Sequence, residues 1–153
     1  MIRNERQTTA AQWAARCFGR AVVEDRRERV TRILEEAIEL AQAEGLEADT
    51  VARLTRRVYA KPPGDPTQEL GGLGVCVLVY AEATGVSADA IEAGEVEAIL
   101  ARDPGYFRER QNAKAALGLG KFCVDAARVS RGCTTQGQKD SGPPSKCAVG
   151  RTK

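Results

Sequence analysis

The segment VEDRRERVTRILEEAIELAQAEG, from Val23 to Gly45, constrains this chain more than any other. Val30, Ile33, Leu34, Ala37, Ile38, Leu40 and Ala41 recur at 3.6-residue spacing, which predicts one amphipathic helix with an apolar stripe. Gly45 stands where a left-handed residue would end it. The same period continues on both sides. TAAQWAARCF (residues 9–18) reads as a short helix stopped by Gly19, and Asp49 to Tyr59 places Val51, Leu54, Val58 and Tyr59 on one face. KPPGDP (Lys61–Pro66) breaks the chain as a loop. Ser87-Ala88-Asp89 offers an N-cap for a helix running to about Arg102. Asp103-Pro104 interrupts it, and YFRERQNAKAA continues as a further short helix.

Composition supports an all-α domain. Apolar residues make up 42% of the 153 positions and aromatics only 5%, so alanine, leucine and valine fill the core, which favours packed helices. The expectation is a helical bundle of about four to six helices over residues 8–116. Behind it, residues 117–153 read as a basic tail without a period, too poor in apolar residues to fold alone. A net charge of +2 argues for neither a nucleic-acid nor a membrane partner. From Lys121 onward, however, seven Lys or Arg stand against two Asp. No run of about 18 apolar residues predicts a membrane span, and MIRNERQTTAAQW lacks the apolar core of a signal peptide. The expected location is the cytoplasm. The five cysteines are odd in number and form no CxxC pair, which favours free thiols.

There is no histidine. Histidine-based nucleophilic triads, a histidine general base and His-ligated zinc are therefore excluded for this chain by itself. Acid–base or metal chemistry falls to carboxylates, lysine, tyrosine or cysteine.

QELGGLGVCVLVY (Gln68–Tyr80) raises the question of a glycine loop. It is not a phosphate loop, because no GK[ST] follows, and the spacing of Gly71, Gly72 and Gly74 does not make GxGxxG. VCVLVY suits a strand by propensity, but a lone strand among helices has no partner. The helical reading wins. Because Leu73 to Ala81 is apolar all round, this helix is expected to be central, with Thr67 as its N-cap.

Three groups of residues could carry chemistry. Glu35, Glu36 and Glu39 are i,i+3 and i,i+4 neighbours, so their carboxylates share a face suited to a hard cation such as Mg²⁺. The alternative is a solvated acidic face tied to Arg32 and other local arginines. Glu69 at the entrance of the central helix is either a further ligand or a helix-dipole partner. Arg108, Arg110, Asn112 and Lys114 either meet a polyphosphate or form a solvated helix end. Trp13, the only tryptophan, belongs to a core or interface or stacks on a base.

Taken together, RRERVTRILEEAIELAQAEGL, the KPPGDP loop and QELGGLGVCVLVYAEATGVSADAIEAGEVEAILAR resemble MazG-like proteins of the all-α nucleoside triphosphate pyrophosphohydrolase superfamily. The closer similarity is to a subgroup found often in phages and prophages, with ER…RxLEEAxEL and QExGG blocks. It covers about Trp13 to Lys114. The family pattern is EExxE on one helix and ExxD on a later one. Glu35, Glu36 and Glu39 match the first motif, and Glu69 opens the second. Gly72 stands where the family places a metal-binding Asp.

The resemblance implies Mg²⁺-dependent hydrolysis (with Mn²⁺ as an equivalent) of nucleoside triphosphates to monophosphate and pyrophosphate. In that scheme Glu36, Glu39 and Glu69 are metal ligands, and Glu35 accepts the proton of the attacking water. Lys114 and Arg110, with Trp13, contact the substrate. It also implies a homo-oligomer, dimer or tetramer, with sites near subunit interfaces. Gly72 motivates a second expectation, a catalytically weakened or inactive helical oligomer that binds nucleotide or a protein partner. Glu92 or Glu95 could replace the missing carboxylate.

Overall fold

The computed structural model describes residues 1–123, and within them the chain is all helical. Its seven helices are α1 (Arg3–Phe18), α2 (Arg20–Val23), α3 (Arg26–Ala43), α4 (Ala48–Tyr59), α5 (Pro66–Ala83), α6 (Ala88–Ala101) and α7 (Pro104–Ala116). This is one more than the expected upper bound. The extra helix is the single turn α2, too short to show a hydrophobic period. The tail from residue 124 onward, expected to be mobile, lies outside the described residues, as do Cys133 and Cys147.

Local chemistry sets the boundaries. The Asp25 carboxylate accepts from the Arg27 and Glu28 N–H groups, so α3 starts at Arg26 rather than Val23. Asp65 accepts from the Thr67 and Gln68 N–H groups, with Pro66 at the first helical position. Thr67 is therefore inside α5, and the expected Thr67 cap is corrected to Asp65. Asp103-Pro104 repeats this device at α7, and Ser87 caps α6 through the Ala90 N–H, as expected. Gly45 ends α3 with φ +78°. Its N–H bonds the Gln42 carbonyl and the Leu46 N–H reaches back to Ala41, the paired bonds of a left-handed cap.

The core is small and lies elsewhere than the periodicity implies. Ala14, Cys17, Phe18 and Val22 are buried, with Trp13, Val23, Phe107 and Cys123 packed against them. α1 is the hub, packing on α2, α6 and α7, while α2 packs on α3 and α5 on α6. Arg108 fastens α7 to α1 by donating to the Cys17 and Arg16 carbonyls, both at 2.9 Å. Arg6, buried at the other end of α1, pairs with Asp89 and Glu92 of α6.

The α3 stripe does not face this core. Val30, Ile33, Leu34, Ile38 and Leu40 are all exposed, and the one buried residue of α3 is Glu28. Nor is α5 central in the single chain: Leu70, Val75, Val77, Leu78 and Val79 are exposed, and only Ala81 is buried. α4 makes no extended packing with any other helix. Periodicity identified the apolar faces, but nothing among the described residues covers them. Among the described residues no single helix is long and apolar enough to cross a membrane; α5 and α6 pass only as a pair, and that pair is bent by 104°.

Candidate functional site

Beside the core, α3 and α7 meet through polar side chains such as Glu28–Gln111 and Glu35–Lys114, and a cavity of about 330 Å³ opens between them. Trp13 and Phe18 of α1 supply one wall. Arg29, Arg32 and Glu36 come from α3, Glu95, Ile99 and Arg102 from the end of α6, and Tyr106, Phe107, Arg110, Gln111 and Lys114 from α7. The spacings explain the convergence. Positions 29, 32 and 36 form one i,i+3,i+7 stripe on α3, and positions 107, 110, 111 and 114 form the facing stripe on α7.

The aromatic wall is built edge to face. The Trp13 ring lies 4.8 Å from Phe107 at 90° and 5.6 Å from Phe18 at 85°. Tyr106 continues it, 5.2 Å from Phe107, with the Arg102 and Arg110 guanidiniums over its face at 4.8 and 5.5 Å. Arg110 also donates to the Tyr106 hydroxyl at 2.7 Å. That bond moves the Tyr106 pKa down and the Arg110 pKa up, and the charges of Glu39 and Glu35 add to the rise at Arg110.

Five cations thus line a cavity that two carboxylates, Glu36 and Glu95, line with them. Behind its wall, Trp13 Nε1, Arg29 Nε and Nη2, and Arg32 Nε are buried without a hydrogen-bond partner, although Arg29 Nη2 and Arg32 Nε lie 3.6 and 3.4 Å from the Glu28 carboxylate. Burial pushes the Arg29 guanidinium below its ordinary pKa, with Glu28 opposing and Arg32 reinforcing the shift. A partly desolvated cation on a cavity wall favours an anion as its partner.

The expected site residues divide. Trp13, Glu36, Arg110 and Lys114 all line the cavity. Trp13 packs on the core, the first of the two readings offered for it, and also lines the cavity. Glu35 lies at the rim with both oxygens engaged, Oε2 by Arg32 Nη1 at 2.5 Å and Oε1 by Lys114 Nζ at 2.8 Å. The local arginine pairing weighed as the alternative for this face is thus present. Glu39, one turn on, is close enough to act on Arg110 electrostatically. Glu69 is not brought to the cavity; it sits in the first turn of α5. Glu92 is turned to Arg3 and Arg6, whereas Glu95 faces Glu36 across the cavity. Arg108 is used structurally, and Asn112 accepts from the Cys123 N–H.

A divalent metal does not fit these carboxylates as one chain holds them. Among the described residues no three His, Cys, Asp or Glu side chains converge as metal ligands. Glu35 is committed to cations, and Gly72 contributes no oxygen.

Sequence reasoning missed Arg29, Arg102 and the aromatics of α7, and named Arg32 only as a partner of the acidic face. The arginines carried a legible signal, because they share a stripe with Glu36. Phe107 and Tyr106 did not, because their role depends on α1, roughly ninety positions earlier in the chain. Glu36 also borders two further grooves, one against α5 and one against the N-terminal half of α1. No protein-family model, curated protein or solved structure matches the chain.

Proposed function

We propose that this protein binds a nucleoside triphosphate in the α1–α3–α7 cavity and hydrolyses it to monophosphate and pyrophosphate, a MazG-like activity. The observation that supports this reading is the meeting of five cations, an aromatic wall and Glu36 in one cavity. A triphosphate supplies acceptor oxygens and negative charge, and its base supplies a face for the aromatic wall. Base–aromatic stacking contributes about 1–3 kcal/mol per base. In the reaction, water adds to phosphorus and the anhydride bond between the α- and β-phosphates breaks. Pyrophosphate leaves with the bonding electron pair, and the proton of the water passes to a carboxylate. Glu36, which lines the cavity, is better placed for that role than Glu35, whose oxygens are both held by cations. Mg²⁺ dependence belongs to this reading through the resemblance alone, since among the described residues of one chain the implied ligands do not converge.

A homo-oligomer belongs to the same reading, as does a cytoplasmic setting. The uncovered apolar faces of α3, α4 and α5 support it. So does the open space around Gly71, Gly72 and Gly74, where an added Cβ would meet nothing within 4 Å of the same chain. Glu36 borders the groove between α3 and α5, so a second copy seated there would lie beside the cavity. A second reading, binding without turnover, is favoured by the engaged Glu35 and by Gly72.

The test is pyrophosphate release from a panel of NTPs and dNTPs with and without Mg²⁺, comparing wild type with Glu36→Gln. Trp13 fluorescence reports binding independently, since the chain has one tryptophan. Turnover lost in Glu36→Gln supports the enzyme. A fluorescence change without turnover selects the binding protein, and neither signal rejects both.

A further inference from the structure

Glu28, beside Arg29 in the ER block, takes no part in the chemistry described so far, yet it is among the most buried polar residues described, 4% exposed. Its carboxylate is fully engaged. Oε1 accepts from Gln111 Nε2 at 2.9 Å and Oε2 from the Lys121 N–H at 2.9 Å. It also faces two arginines, Arg32 Nε at 3.4 Å and Arg29 Nη2 at 3.6 Å from Oε1. These arginine approaches compensate charge without making hydrogen bonds, so the same nitrogens remain among the orphan donors. Glu28 therefore holds both guanidiniums in place where their side chains line the cavity.

The segment after α7 meets the same carboxylate. Gln111 Nε2 donates a second bond to the Lys121 carbonyl at 2.7 Å, and Lys121 Nζ pairs with Asp25. Arg32 donates to the Leu119 carbonyl. Residues 117–121 thus lie as a strap along the α3 edge of the cavity, tied to Glu28 and Arg32.

Resting on the nucleotide reading above, we propose that Glu28 is a positioning residue that presents Arg29 and Arg32 to the terminal phosphates of the ligand, with the strap fixed to the same carboxylate. Side chains already immobilised lose less freedom on binding, so preorganisation raises affinity. The sign of the effect distinguishes this role from simple electrostatics. Deleting a negative charge beside an anion site strengthens anion binding through the field alone, whereas loss of positioning weakens it.

The experiment is calorimetric titration of the full chain with sodium tripolyphosphate in Mg²⁺-free buffer. Glu28→Gln is expected to weaken binding at least tenfold. In an Arg29→Ala/Arg32→Ala background the same substitution is expected to change affinity less than twofold, because its effect runs through those side chains. Glu28→Asp retains the charge with a shorter reach and guards against a folding defect in the Gln variant; it is expected to bind several-fold more weakly than wild type. Unchanged or tighter binding by Glu28→Gln or Glu28→Asp, or a full effect in the double-Ala background, overturns the positioning role while leaving the nucleotide reading intact. No binding by wild type removes that reading and this one together.

Discussion

The sharpest consequence of the uncovered apolar faces concerns α4. Leu54 is 48% and Val58 63% exposed, on a helix that makes no extended packing with any other described helix. If a second copy covers this stripe, burying the exposed half of each side chain contributes about 1 kcal/mol. Two residues from each of two copies then supply about 4 kcal/mol, close to a thousandfold in the dimer dissociation constant. Leu54→Glu/Val58→Glu removes that contribution and adds the desolvation of carboxylates with no partner. In a monomer the same substitutions alter exposed positions, where changes stay within about 0.5 kcal/mol. Sedimentation velocity over a wide concentration range is the assay. Wild type is expected as a dimer or larger, and the double variant as a folded monomer with unchanged helical circular dichroism. Cys76 gives a second reading, because its exposed thiol borders the α3–α5 groove with Ile33 and Leu73. It should label slowly in wild type and rapidly in the variant. A wild type that sediments as a monomer would refute the reasoning, as would identical behaviour of the two proteins.

Gly72→Asp restores the carboxylate implied by the resemblance at a position with open space; melting temperature should hold or rise slightly, since Gly is a poorer helix former than Asp by a few tenths of a kcal/mol. Mg²⁺-stimulated pyrophosphate release should increase at least tenfold, and unchanged release would show that position 72 does not hold the ion. The Asp25 carboxyl lies below its ordinary pKa, chiefly through Lys121 and then through the Glu28 N–H. A depressed folded pKa means that this stabilisation is complete above the unfolded value of about 3.9 and is lost as pH falls through the folded one. Asp25→Asn, which keeps the cap geometry, should therefore lower the urea midpoint at neutral pH and match wild type in strong acid. A difference independent of pH would contradict this assignment.

Much of the secondary structure was legible because its causes are local. Asp103-Pro104, Ser87 and Gly45 each act on backbone groups within a few residues, so residue type and position suffice to place them. Thr67 was misplaced as a cap only because Asp65-Pro66, two residues earlier, supplies a better acceptor and a preset φ. The site was partly legible for a similar reason. Trp13, Glu36, Arg110 and Lys114 were identified by residue type and by resemblance, and all four line one cavity. Glu69 was grouped with them by its motif, yet no packing within the chain brings α5 to that cavity.

Helical periodicity, read along the chain, determined which faces are apolar and that the described residues are all helical, because these follow from side-chain chemistry repeated every turn. Which of those faces is covered depended on partners distant in sequence. The Arg108–Cys17 and Glu28–Gln111 bonds span 91 and 83 positions, and they bring α1, α3 and α7 around a polar cavity. A hydrophobic stripe records that burial is favourable without naming what buries it. Only the packed chain distinguished the small core beneath α1 from the exposed stripes of α3 and α5, and gathered five cations around one cavity.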